Sequence, residues 1–405
     1  MKRMTLKRLI RGMSLVEMMV AIVISLLGTL VIFQVFAVNE GTRRSTTATG
    51  DEQTSGLLAL LQLERELRTA GYGVNDFDVL GCTMQMYDNQ RTPSAVPQFP
   101  LTAAQIVTNA GTTPDVIRVV YGQPTQTSVS YSLAPGMASV TDTVTLTRRF
   151  GWNTGDKFII GQQSTATVPN PLCTMGEVTS LAGLLDLAHA TGSYVNSITG
   201  VSQTSRFNDP AGFPLAYGYM IGKVMNVGQF PIRNEITVDV GDADPNKNNT
   251  LTVQNLWDQL PSPQPIAEQI VALKAQYGMD DGINNGSITG HTAYVPDDNM
   301  VDNYVDANAV NAPNTLKTQQ SWQRVRAVRV AVVSRSLTGY KPNSGTACDA
   351  TPSYGSAGYM VRWGYGPNAP TGQLIDVRTT TDWQCYKYRV YETVVPMRNV
   401  YWRQP

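Results

Sequence analysis

Histidine is nearly missing from this 405-residue chain, which has only His189 and His291. Neither has a cysteine close by in sequence, so a zinc site of the usual Cys/His spacing is not expected. Two histidines also leave few candidates for a Ser/His/Asp or Cys/His catalytic unit. His189, in LLDLAHATG, and His291, in a glycine-rich loop, read as structural or solvent-exposed residues. There is no GxSxG, HExxH or P-loop run, and no GxGxxG opens a helix. Nothing nominates a pair of carboxylates for glycoside hydrolysis. The expectation is therefore no enzyme and no cofactor. Cysteine is scarce too: Cys82, Cys173, Cys348 and Cys385 stand far apart and form no CxxC pair.

Acidic residues are missing from the start of the chain. Lys2, Arg3, Lys7, Arg8 and Arg11 precede Met13, with no Asp or Glu among them. Taking those five from the 31 Lys and Arg leaves 26 against 31 Asp and Glu, a net of −5. A mildly acidic body argues against nucleic-acid binding by bulk charge. Beyond about residue 75 the chain is poor in Lys and rich in Thr, Asn, Gly, Tyr and Val, a β-type and extracytoplasmic composition.

What the chain does have, right after the basic leader, is an apolar run. From Met13 to Val38 the only strongly polar side chains are Glu17 and Gln34. At about 1.5 Å per residue this helix is long enough to cross a hydrocarbon core. The leader then keeps residues 1–11 in the cytoplasm and sends the remaining residues outside. An exported chain with an even number of scattered cysteines reads as one with two disulfides. Three pairings are open; Cys82–Cys173 with Cys348–Cys385 closes the shorter loops and is favoured, and unpaired buried thiols are the alternative.

Glu17 is the puzzle in this segment, because a charged side chain in a spanning helix costs about 2.5–3.5 kcal/mol on insertion scales, and less near the interface. One reading is a carboxylate that snorkels at the cytoplasmic face. A signal peptide cut after Ala37 fits Val35-Phe36-Ala37 loosely, but the run is too long for a typical signal core. A plain signal anchor is also open. Neither of these two explains Arg11-Gly12 with a carboxylate at the fifth residue beyond the glycine.

Arg-Gly-Met-Ser-Leu-Val-Glu ahead of an apolar helix resembles the class III signal of type IV pilins and pseudopilins. The resemblance implies cleavage between Gly12 and Met13 by prepilin peptidase and N-methylation of Met13. The family usually has Phe at that first mature position, so Met13 departs from its pattern. The resemblance also implies an assembly role for Glu17: its carboxylate meets the terminal amine of a neighbouring subunit and sets the register of docking.

After the polar stretch NEGTRRSTTATGDEQT, with Gly41 and Gly50, the residues Leu57, Leu60, Leu61, Leu63 and Leu67 recur at roughly helical spacing. Glu64 and Arg68 form an i,i+4 pair, and Gly71 with Gly73 ends the helix. The expected organisation is a leader (1–12), a transmembrane helical half (13–38), an amphipathic helical half (39–72) and a β-rich globular domain (73–405). Two separate helices with a loop near 41–55 are the alternative.

Strand-like runs fill the body, among them DVIRVVYG, TVTLTRRF, DKFIIG, AYGYMIGKVMNV, NEITVDV, TLTVQ, VALKAQYG, VRAVRVAVVSR and YKYRVYETVVPMRN. PQPIAEQIVAL is read as a short helical turn leading into its strand. Segments 82–112, 161–212, 279–321 and 337–382 read as long loops. No regular βαβ spacing recurs, so the sheet should be antiparallel. The fold class is α+β: one long N-terminal helix packed on a largely antiparallel sheet body. The tryptophans, Trp152, Trp257, Trp322, Trp363, Trp383 and Trp402, are expected mostly in the core. In the acidic loop from Met279, Asp280, Asp281, Asp297 and Asp298 offer hard oxygen donors suited to calcium. Their spacing departs from D-x-[DN]-x-[DN]-G, so no metal is expected.

The C-terminal series IAEQIVALKAQYG, WQRVRAVRVAVVSRS and YRVYETVVPMRN resembles the end of PilW-type minor pilins, which are similar in plan to the J-type minor pseudopilin of type II secretion. The resemblance implies a precursor in the inner membrane of a Gram-negative bacterium with its C-terminal domain in the periplasm. It then implies a subunit at the pilus tip at the cell surface, co-assembling with other minor pilins and the major pilin to prime the type IV pilus. Prepilin peptidase and a large tip adhesin are further expected partners. A J-type pseudopilin is the near alternative. A signal-anchored binding protein or adhesin is the alternative from another class.

Overall fold

The computed structural model describes residues 14–401 apart from 75, 110–112, 125–129, 135, 136, 138, 164–170, 182, 215–221, 241–248, 259, 281–299, 340–347, 349, 351–359, 366–371 and 379–381. It is an α+β fold with a long N-terminal helix and a mostly antiparallel β body. The helix runs without a break over Leu15–Thr69, through Gly41 and Gly50. It crosses the boundary between two compact units, one ending at Asp51 and the other starting at Glu52.

In the second unit the last turns of the helix carry Ala59, Leu63, Leu67 and Ala70 into the main core. Two antiparallel sheets supply the other core residues. The four-stranded sheet has the order Asn303–Asp306, Ile270–Met279, Val325–Arg335, Tyr388–Pro396. The five-stranded sheet has the order Gln264–Ala267, Thr250–Asn255, Ile232–Asp239, Val116–Tyr121, Ala104–Val107. Val325–Arg335 lies between two neighbours, and ten of its eleven residues are buried. That is why VRAVRVAVVSR is apolar well beyond simple alternation.

The helix ends where Gly71 and Gly73 take positive φ values of 84° and 75°, the left-handed region that glycine enters without a Cβ clash. Its last carbonyls are capped from 330 residues away. Asn399 Nδ2 donates to the carbonyl oxygens of Arg68, Thr69 and Ala70 at 3.0, 3.1 and 3.1 Å, satisfying acceptors that an α-helix leaves open at its end. Gly56 allows a close approach on another face. A Cβ there would come within 2.2 Å of the Tyr391 ring on the edge strand of the four-stranded sheet.

Glu66 ties the helix to the five-stranded sheet. Its buried carboxylate accepts from Asn234 Nδ2 at 2.9 Å, Tyr121 Oη at 3.3 Å and Gln62 Nε2 at 3.3 Å. Burial, and then the Glu66 charge, pushes the Tyr121 phenol up to about 12, so it stays a donor at neutral pH. Glu66→Ala strands the buried Tyr121 hydroxyl and the half-buried Asn234 amide and should lose about 1–3 kcal/mol of unfolding free energy. Glu66→Gln keeps an acceptor and should lose less. Urea denaturation checks this; an alanine variant as stable as the parent would show that the link contributes nothing.

A third sheet of six strands is ordered Phe99–Pro100, Thr83–Met84, Leu172–Glu177, Lys157–Gln162, Gly222–Gly228, Ser130–Ser132. A parallel pairing joins Thr83–Met84 to Leu172–Glu177, and the Cys82–Cys173 disulfide spans that junction. The second disulfide is Cys348–Cys385.

The segments read as loops hold more structure than expected. Leu172–Glu177 is a sheet-interior strand with five of its six residues buried. Its sequence, LCTMGE, lacks alternation because both faces are covered. Ser193–Val195 pairs with Ser202–Thr204, and Met360–Trp363 with Gln373–Asp376. The helical turn read in PQPIAEQIVAL is instead the strand Gln264–Ala267, which pairs with Thr250–Asn255. Gln269, at φ 60°, turns the chain into Ile270–Met279. TVTLTRRF contributes only Val144–Thr145 as strand.

Candidate assembly segment

The N-terminal helix is the most specialised surface of the chain. Between Leu15 and Val38 every large apolar side chain is exposed, from Leu30 at 50% to Leu15 at 74%. Leu15–Glu40 is long and apolar enough to cross a membrane, by length and composition. Thr29 Oγ1 donates to the Ser25 carbonyl within the same helix, at 2.8 Å. An apolar surface of this size is stable only in lipid or against other apolar helices.

Glu17 sits in the first turn of this helix. Its Oε2 accepts the backbone N–H of Ser14 at 3.0 Å, which caps a helix start and places negative charge at the positive end of the helix dipole. Its neighbours along the chain, Leu15, Val16, Met18 and Val20, are exposed. Gly12 and Met13, the expected cleavage pair, lie outside the described residues.

Residues 7–33 match the family model of the prokaryotic N-terminal methylation motif. Residues 240–399 match that of the type IV pilus-assembly protein W. Together the two matches support a PilW-type pilin. No curated protein and no solved structure matches it. The second match includes the whole four-stranded sheet and ends on Asn399, the residue that caps the pilin helix. The pilin is thus a type IV pilus-related protein whose methylation motif and apolar helix fit a membrane anchor.

The other sequence candidates lie away from this segment. Cys82 and Cys173 are fully buried within the pilin body. Asp280 is taken by Arg326, Oδ2 to the guanidinium at 2.9 Å with both side chains fully buried. Asp281, Asp297 and Asp298 lie outside the described residues, as does His291. Among the described residues no cluster of three His, Cys, Asp or Glu side chains is placed to hold a metal. His189 is structural: it stacks on Phe213 with ring centroids 4.2 Å apart and bonds the Asp142 carbonyl at 2.7 Å through Nε2. Burial lowers its pKa. Trp152, Trp257, Trp322 and Trp363 are buried, Trp383 is half-buried, and Trp402 lies outside the described residues. Asn399 and Gly56 carried no sequence signal, since each acts through a contact distant along the chain.

Proposed function

We propose that this pilin is a minor subunit that primes type IV pilus assembly and sits at the pilus tip. Its precursor resides in the inner membrane with the β body in the periplasm. Prepilin peptidase cuts between Gly12 and Met13, and the new Met13 amine is methylated. The apolar helix then packs with those of other minor pilins and the major pilin, while Glu17 meets a neighbour's terminal amine. A large tip adhesin is a further partner in this arrangement. The work is assembly, not catalysis.

The observation that carries this reading is the conjunction of the methylation motif with a helical stretch, Leu15–Val38, whose large apolar side chains are all exposed. Intact-mass analysis of the chain from cells should give a species lacking residues 1–12 and heavier by one methyl group at Met13. A functional molecule retaining residues 1–12 would end the proposal. Deleting the gene should remove surface fibres and twitching. A strain that keeps both but loses type II secretion would place the subunit in a pseudopilus instead.

A further inference from the structure

A cleft of about 660 Å³ opens in the pilin body, lined by no residue of the N-terminal helix. Twelve of its fifteen lining residues fall outside both segments matched by the family models; Asn255, Trp257 and Asp258 are the three within. Most of the cleft is therefore built by sequence that the family models do not describe.

Its charges are already spent on one another. Arg206 makes a bidentate pair with buried Asp88, at 2.8 and 2.7 Å, and donates to the Trp257 carbonyl at 2.6 Å. Arg91 binds the same carboxylate and the Leu256 carbonyl. Burial pushes the Asp88 pKa up, but hydrogen bonds from Arg206 and Arg91 outweigh that and hold it below the usual carboxylate range. Lys157 pairs with Glu177 at 3.3 Å, and Asn255 Nδ2 donates to Asp258 at 2.9 Å. These bonds tie residues distant along the chain into the wall of the cleft. They leave no uncompensated cation for a phosphate or a nucleic acid.

Carboxamides and aromatic faces remain for a ligand. Gln90 and Gln123 line the cleft with exposed side chains. Phe230 stands on the same lining and is 71% exposed. Trp257 lines it too, and its buried indole N–H has no acceptor among the described residues. A carboxamide donates and accepts at once, as a sugar hydroxyl does. An aromatic face offers a flat apolar surface to the C–H side of a pyranose ring. Concave sites with a few convergent polar groups and an apolar platform are the usual form of small-ligand sites.

We infer that this cleft binds a neutral saccharide, with Phe230 as the stacking platform and Gln90 and Gln123 reading hydroxyl groups. The pilin then carries a glycan-binding site on its body, separate from its assembly helix.

The test uses the full chain in micelles of a detergent without a sugar headgroup. It is applied to an array of neutral hexose and N-acetylhexosamine oligosaccharides beside sialylated and sulfated ones. At least one neutral glycan should bind. Titration with that glycan should show affinity weakened about fivefold or more by Phe230→Ala and by Gln90→Ala, two exposed positions whose variants should keep the parent's melting temperature. No neutral glycan above background, binding confined to the acidic ones, or an affinity indifferent to Phe230→Ala would each overturn the inference.

Discussion

Glu17→Val should yield a chain that is inserted and cleaved normally yet is depleted about tenfold or more from sheared fibres. The argument starts from the surroundings of the carboxylate. Among the described residues it accepts from the Ser14 N–H, and the apolar residues next to it along the chain are exposed. Packing that surface into a helical bundle removes water from the charge. An ion left alone in such a place is strongly destabilising, whereas a well-placed counter-ion offsets much of the cost. In the proposed bundle the counter-ion is the methylated terminal amine of a neighbour. Valine removes the acid and leaves that amine uncompensated, so each misdocked register becomes as good as the right one. Immunoblots of the sheared and membrane fractions measure the outcome. Full recovery of Glu17→Val in fibres, with normal cleavage, would sink the pairing. Glu17→Asp keeps the charge but shortens its reach, and should fall between the two.

The second large effect concerns the body. Replacing both Cys82 and Cys173 with alanine should cost about 4–5 kcal/mol on the chain-entropy account of a cross-link closing so long a loop. Their sequence separation is 91. Domains are typically stable by only about 5–15 kcal/mol, so this variant should be largely unfolded at modest denaturant. The same change at Cys348 and Cys385, with a separation of 37, should cost somewhat less, since the entropy grows only with the logarithm of loop length. The first bridge also clamps Thr83–Met84, two residues long, to its parallel neighbour, a pairing with few backbone bonds of its own. Guanidinium denaturation of both double variants ranks them. A Cys82/Cys173 variant within about 1 kcal/mol of the parent would show that the reduced chain retains the junction without the bond.

Much of the fold follows from local pattern. VRAVRVAVVSR becomes Val325–Arg335 with no residue gained or lost, and the glycines after Thr69 stop the helix as expected. Leu57 and Leu61 show where the pattern runs out. They share the leucine repeat with Leu63 and Leu67, yet they are exposed while the latter pair is buried. Periodicity marks which positions share a helix face, but not which face meets the sheet. LCTMGE was illegible for a related reason: a strand covered on both sides need not alternate, and this one is too short to announce itself by apolar content.

The sequence alone marked out the candidate assembly segment, because a basic leader, a glycine, a carboxylate five residues on and an unbroken apolar run are all neighbours along one chain. It also favoured the disulfide pairing, through loop length. Only the tertiary structure decided that Asn399 caps the helix at Arg68, Thr69 and Ala70, that Asp280 pairs with Arg326, and that Arg206, Asp88 and Trp257 brace one cleft. The physical reason is that apolar burial leaves a periodic trace in the residues that share a face. A hydrogen bond between polar side chains a hundred or more residues apart leaves none until the chain closes and brings donor to acceptor.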